Sequence, residues 1–249
     1  MPISNPAKVK NATDPFLYIK KIIPFDLMQS VVFYQCDFFV QHYQQHLFSL
    51  YQVDFPSSLK NAVPKRQAEY LAGRYAAKQV LKNKGAIFTG VKIGADRSPV
   101  WPRGIIGSIS HNHSTAVCAA AFTKEVQCLG IDLEDWISPS VVKEIKSGVV
   151  KPDEEKLLHA SSLGFDKAFT LAFSAKESLF KALYPLVGYY FDFDAAQLIE
   201  INESENKLSM TLRKDLTPDL PAGTCLNGYY CWNAERVLTL IEKSAEEYE

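Results

Sequence analysis

Apolar positions along the chain change their period several times, and each change marks an element. After Pro64, the residues Ala68, Leu71, Ala72, Tyr75 and Ala76 recur at helical spacing and predict a helix over 65–82. Proline suits the first turn of such a helix. A second helical run covers 167–183, where Phe169, Ala172, Phe173, Phe180 and Leu183 form an apolar arc. Between the two, 115–122 and 126–134 read as strands joined by a turn at 123–125. The last third predicts strands over 191–201, 207–213, 229–232 and 237–241; Leu208, Met210 and Leu212 alternate as a half-buried strand does. In the first sixty residues, the aromatic-rich runs 31–34 and 38–40 read as strands or core segments. Residues 94–114 hold Gly94, Pro99, Pro102, Gly104 and Gly107 and read as a loop able to bring backbone N–H groups close to a ligand. Helix and strands, then helix and strands again, predict an α+β fold of two similar halves meeting near residue 128.

The chain has 249 residues, enough to bury a core without a disulfide or metal staple. Its five cysteines, Cys36, Cys118, Cys128, Cys225 and Cys231, include no C-x-x-C pair, so zinc and dithiol chemistry have no support and reduced thiols in a cytoplasmic enzyme are expected. Residues 1–20 contain no apolar run of the secretory kind, and the longest apolar run near the middle, 116–122, is far too short to span a bilayer. The net charge of −1 conceals a split: residues 60–103 carry 10 basic against 2 acidic side chains, whereas residues 104–249 carry 13 against 22. That asymmetry predicts local binding of an anion in one part and of a cation in the other. Arg74, Lys78 and Lys82 make a basic stripe at i, i+4, i+8, and Lys78 and Lys82 are read as a solvated helix face.

The most informative element is Gly130-Ile131-Asp132-Leu133-Glu134. Side chains alternate along a strand, so Asp132 and Glu134 leave one face while Ile131 and Leu133 point into the core. Two adjacent carboxylates repel and raise a pKa unless a cation sits between them, which suits a hard ion such as Mg²⁺. Taken alone the pair also fits an ordinary acidic strand end. On the second helix, Glu177 and Lys181 lie at i, i+4 on the border of the apolar arc, and Lys176 projects within it. A lysine there needs a partner or a ligand. His111 and His113 fall in the loop without a matching metal or nucleophile cluster, and His42, His46 and His159 read as structural or surface residues.

Four blocks in order then resemble the 4′-phosphopantetheinyl transferases, in particular the single-chain type represented by enterobactin synthase component D. They are KRQAEYLAGR from Lys65 to Arg74, RSPVWP from Arg97 running on to GSISH at Gly107–His111, GIDLE at Gly130–Glu134, and FSAKESLFKA from Phe173 to Ala182. The resemblance spans about 65–196; residues 1–60 and the last forty match no motif. It implies a pair of α+β halves related by a pseudo-twofold, 1–128 contacting the nucleotide of coenzyme A and 129–249 carrying the metal and catalysis, with the site in the cleft between them. It also implies the reaction: the 4′-phosphopantetheine arm of coenzyme A moves to a serine hydroxyl of an apo carrier protein, leaving adenosine 3′,5′-bisphosphate.

By the same resemblance, Asp132, Glu134 and Glu177 are Mg²⁺ ligands, with Mn²⁺ as a substitute; Glu177 is also the candidate base and Lys181 the group beside the pyrophosphate. Arg66 and Arg74 hold the nucleotide end, Arg97 lies in the loop packing on adenine and phosphates, and Ser110 and His111 contact phosphate. Asp132 is assigned to coenzyme A binding as well as to the metal. The role of Lys176 stays open between phosphate contact and structural pairing. Asp96 beside Arg97 departs from the pattern and bears on that loop. The implied partners are coenzyme A and an acyl or peptidyl carrier domain, foremost of siderophore or other nonribosomal peptide synthesis, with polyketide and fatty-acid carriers as alternatives; the carrier surface is placed around 136–165. A monomer is expected, since both halves lie in one chain. Rival readings fare worse. An ATP-dependent phosphotransferase lacks a G-x-x-x-x-G-K-[ST] cradle, a nucleic-acid binder lacks a reading motif, and a non-catalytic coenzyme A-binding relative should have lost a carboxylate or the lysine.

Overall fold

A computed structural model describes residues 15–20, 30–86 and 90–245. The reading of 1–20 as leaderless therefore lies largely outside the described residues, as do 246–249 of the acidic tail. Contacts divide the chain between Glu125 and Val126 into two compact units.

The first unit contains β1 (Leu17–Lys20), β2 (Val32–Phe38), the one-turn helix α1 (Leu47–Leu50), α2 (Pro64–Asn83), the short pair β3 (Lys92–Ile93) and β4 (Pro99–Val100), then β5 (Ile105–His111) and β6 (Thr115–Phe122). Its four-stranded antiparallel sheet has the order β1-β2-β6-β5. Helix α2 begins at Pro64, as its sequence requires. It buries Ala68, Leu71, Ala72, Ala76 and Val80 against Cys36, Phe38, Ala116, Cys118 and Ala120 of the sheet. The small residues on this face let helix and sheet approach closely; a Cβ on Gly73 would lie 3.1 Å from the Ile109 side chain.

Two expectations fail in this unit. Residues 105–111 are not loop but a full strand paired with β6. Its glycine and serines disguised it: Gly107 is required because the Trp101 ring lies where a Cβ would stand, 2.6 Å away. Lys78 is not solvated. It is 7% exposed and its Nζ donates to the Tyr51 and Gln52 carbonyls and to Gln52 Oε1 at 3.0, 3.2 and 2.9 Å. Lys82 is exposed, as read.

The second unit contains β7 (Val126–Asp135), α3 (Pro139–Val149), α4 (Pro152–Ala160), α5 (Phe165–Val187), β8 (Ala196–Asn202), β9 (Lys207–Leu212), β10 (Cys225–Trp232) and β11 (Arg236–Ser244). The five strands form one antiparallel sheet in the order β7-β11-β10-β9-β8. Helix α5 packs along β7 and β11, and Leu171, Ala175, Leu179 and Ala182 meet Cys128, Val237 and Ile241 in its core. Helices α3 and α4 occupy 139–160, where no element was predicted. The strand predicted from 191 begins only at Ala196, after a 3₁₀ turn at Phe193–Ala195. Each unit thus sets one long helix on one antiparallel sheet, and the fold is α+β. Among the described residues no helix is long and apolar enough to cross a membrane.

Candidate active site

Strand β7 and helix α5 meet at Gly130. A Cβ there would collide with the Ser178 carbonyl oxygen and lie 2.6 Å from the Ala182 backbone nitrogen, so only glycine permits this approach. Alternation then fixes which residues of β7 face the helix: Cys128, Gly130, Asp132 and Glu134. Ile131 and Leu133 are buried, but on the opposite face of the sheet and outside the core around α5. The carboxylates, not the aliphatic residues between them, share the helix side of the strand.

Asp132 is 2% exposed. Its Oδ1 accepts from Lys181 Nζ at 2.5 Å and its Oδ2 from Ser174 Oγ at 2.9 Å. Lys181 therefore reaches across to the strand instead of merely pairing with Glu177 along the helix. Glu134 is half-buried, and burial together with the neighbouring Asp132 charge pushes its carboxyl up to about 8, against the opposing pull of Lys181. Burial raises Glu177 as well, with Lys181 lowering it and Asp132 raising it. The three carboxylates and the lysine thus form one electrostatic cluster. Among the described residues, no three or more acidic, histidine or cysteine side chains stand ready as a metal cage. The donor chemistry still fits a hard divalent cation. Oxygen ligands on two elements repel one another, and a cation among them would remove that cost.

In the other unit, Arg66 on α2 and His111 at the end of β5 meet, Nη1 to Nε2 at 3.1 Å, and Arg66 also lies 3.6 Å from Glu69. Two turns along the helix, Arg74 stacks its guanidinium over Tyr70, 4.9 Å from the ring centre, and Nη2 donates to the Lys92 carbonyl at 3.5 Å. Arg74, Tyr70, Lys78, Lys92, Trp101 and Arg103 line a cleft of about 820 Å³. Arg97 is exposed in the β3–β4 turn with φ +70°, and Asp96 there accepts from the Ser98 N–H and hydroxyl at 3.0 and 2.7 Å. Ser110 is buried and, as the strand neighbour of His111, leaves the opposite face of β5. The unit therefore joins Arg66 to His111 and turns Ser110 away from both.

The matches to known proteins fall on these residues. The 4′-phosphopantetheinyl transferase N-terminal domain model matches 55–121, and the 4′-phosphopantetheinyl transferase superfamily model matches 128–229. Enterobactin synthase component D of Salmonella typhi is 37% identical over 174 residues, covering 70% of this chain and 71% of the relative. The protein of the same name from Escherichia coli K12 is 41% identical over 126 residues, 51% of this chain and 59% of the relative. The 4′-phosphopantetheinyl transferase Svp of Streptomyces mobaraensis is 34% identical over 142 residues, 55% and 56% of the two chains. The chain belongs to the 4′-phosphopantetheinyl transferase superfamily.

In this transferase Lys176 and its neighbour Glu177 part company. Lys176 turns into the protein, 2% exposed, and its Nζ donates to Glu154 at 2.9 Å and to the Val149 and Phe193 carbonyls at 2.8 and 3.2 Å. Burial lowers its pKa while Glu154 opposes the shift. Of the two readings left open by the sequence, the geometry favours structural pairing. Glu154, fully buried, went unread in the sequence, although its place three residues into the helix opened by Pro152 was a cue: its carboxylate accepts from the Lys151 N–H at 3.0 Å. It also caps Leu198 N–H of β8 at 2.9 Å. A small pocket of about 120 Å³ beside Glu177 is walled by Phe180, Tyr190, Phe191 and Phe193.

Proposed function

We propose that this chain transfers the 4′-phosphopantetheine arm of coenzyme A to a serine hydroxyl of an apo carrier protein and releases adenosine 3′,5′-bisphosphate. The observation that carries the reading is the convergence of Asp132, Glu134, Glu177 and Lys181 where β7 meets α5, in a member of this superfamily. Asp132, Glu134 and Glu177 would hold Mg²⁺, or Mn²⁺ in its place. An ion bound there would neutralise charge on the pyrophosphate. Glu177, whose affinity for a proton is raised by burial, accepts the proton of the carrier serine. The serine oxygen forms its bond to the phosphorus that bears pantetheine. The bond from that phosphorus to the bridging oxygen breaks, its electron pair leaving with the adenosine bisphosphate, and Lys181 donates a hydrogen bond to the departing phosphate.

Residues 1–128 serve the nucleotide: Arg66, Arg74 and Arg97 meet its phosphates and His111 donates alongside Arg66, whereas Ser110, buried on the other face of β5, stands apart from this set. Residues 129–249 serve catalysis. The relatives named for enterobactin synthesis support a carrier of siderophore assembly. The test is incubation with coenzyme A, Mg²⁺ and an apo carrier domain, read by mass spectrometry of the carrier. One added phosphopantetheine on the serine is expected; no addition across carriers of the peptide, polyketide and fatty-acid classes sinks the proposal.

A further inference from the structure

Three hydroxyls inside the contact of α5 with β11 take no part in the chemistry above. Ser174 and Ser178 stand one turn apart on α5, and Thr239 faces them from β11, where it is the cross-strand neighbour of Asp132. All three are fully buried, in an interface otherwise built of alanine, leucine, valine and isoleucine. Their hydrogen bonds form a run. Ser178 Oγ lies 2.8 Å from Thr239 Oγ1, Thr239 Oγ1 lies 2.8 Å from Ser174 Oγ, and Ser174 Oγ donates to Asp132 Oδ2 at 2.9 Å. The direction of the run is set at its far end. A carboxylate can only accept, so the Ser174 proton is committed to Asp132. Ser174 oxygen is then the acceptor for Thr239, and the single Ser178 proton is shared between Thr239 Oγ1 and the Thr239 carbonyl, which lies at 3.1 Å. Bonds aligned in this way polarise one another.

Sterics alone do not call for this arrangement, because valine has the shape of threonine and alanine fills a helix face as well as serine. The run ends on one oxygen of one functional carboxylate, and Lys181 holds the other. We propose that Ser174, backed by Thr239, is a positioning residue for Asp132. It anchors Oδ2 within the interface and fixes the rotation of the carboxylate, so that Oδ1, which Lys181 holds in this structure, is the oxygen that would turn to a bound cation. The inference rests on the assignment of Asp132 as a metal ligand under the proposed function.

The probe is Mn²⁺, titrated by electron paramagnetic resonance into the full-length protein with coenzyme A present. Ser174→Ala is expected to weaken Mn²⁺ binding about 10–100-fold, the range found when an outer partner of a metal ligand is removed. Thr239→Val, which keeps the shape and loses the hydroxyl, moves affinity the same way, and Thr239→Ser, which keeps the hydroxyl, binds Mn²⁺ as the unaltered protein does. In transfer assays the apparent KM for the metal rises in Ser174→Ala and Thr239→Val by more than kcat falls. The threonine pair carries the test if Ser174→Ala does not fold. Equal Mn²⁺ affinity in the unaltered protein and Thr239→Val overturns the inference alone, as does an equal loss in Thr239→Val and Thr239→Ser, which marks packing as the cause. No Mn²⁺ binding by the unaltered protein overturns the metal assignment, and this inference with it.

Discussion

The Lys176–Glu154 pair gives a quantitative test of how the second unit is held together. Lys176 Nζ has three protons to place and finds three acceptors: Glu154, the Val149 carbonyl and the part-buried Phe193 carbonyl. Glu154 in turn accepts from Nζ and from the Lys151 and Leu198 N–H groups. The pair ties α5 to α4, to the start of β8 and to the turn before it. Lys176→Met removes the cation and leaves Glu154 with two backbone donors and no counter-charge; Glu154→Gln leaves the ammonium buried and unpaired. Each single change is expected to cost about 3–5 kcal/mol, the usual penalty for stranding one member of a buried ion pair. Removing both strands neither, so Lys176→Met/Glu154→Gln is expected to cost well under the sum of the singles, with a coupling energy of about 2 kcal/mol or more. A domain has only about 5–15 kcal/mol in hand, so the singles should be unfolded in urea by circular dichroism at low temperature, where enough native protein remains. Folded Lys176→Met should retain the KM for coenzyme A. A loss below about 1 kcal/mol in both singles, or strict additivity in the double, refutes the structural assignment. A tenfold rise in KM in folded Lys176→Met restores the phosphate-contact role instead, since that factor is about 1.4 kcal/mol of binding.

Other outcomes follow from the same geometry. Glu177→Gln keeps the shape of the side chain and removes its charge, so transfer to carrier is expected to fall at least about 100-fold with unchanged circular dichroism; retained turnover removes Glu177 from the mechanism. Arg66 is largely exposed and among the described residues pairs with Glu69 and His111, so Arg66→Ala should raise the KM for coenzyme A while the melting temperature barely moves; an unchanged KM excludes Arg66 from the nucleotide contacts. Glu203 binds the hydroxyls of Ser162 and Ser161 and the Ser162 N–H, which hold its carboxyl below the usual range. A lowered folded pKa means stability that is full above the unfolded value and is lost as pH falls through the folded one. The stability difference between unaltered protein and Glu203→Gln should therefore be present at pH 7 and shrink toward pH 3; a difference that grows on acidification contradicts the assignment.

What could be read in the sequence was what has a period or a motif. Helices α2 and α5 announced themselves by apolar spacing, and β6, β7 and β9 by runs and alternation. Asp132, Glu134, Glu177 and Lys181 were recognised as a set from their blocks, and the structure brings them together. Strand β5 was missed because its composition is that of a turn: Gly107 and two serines stand where bulky residues are usual, and the reason, Trp101 lying on Gly107, is a tertiary contact. Lys78 was read as solvated because nothing local shows that the Tyr51–Gln52 carbonyls will lie over it. Lys176 was visible as an anomaly but Glu154 was not visible as its partner, since 22 residues separate them. The direction of the β7 face was half legible: alternation separates Asp132 from Ile131, yet only the packing of α5 says which side holds the core.

The close approach at Gly130 has a consequence for how such a site can be lost or kept. Main chain touches main chain there, so the spacing between the strand that bears Asp132 and Glu134 and the helix that bears Glu177 and Lys181 is not set by any side chain that could be traded for another. Repacking the core elsewhere trades stability and leaves this spacing untouched. A single methyl at 130, by contrast, would wedge strand and helix apart by about an ångström or more, enough to forfeit hydrogen bonds as short as that from Lys181 to Asp132. Every acid and base would still be present in such a chain, and under the proposed function it is expected to be inert. On that proposal the glycine specifies the site as much as its charged residues do.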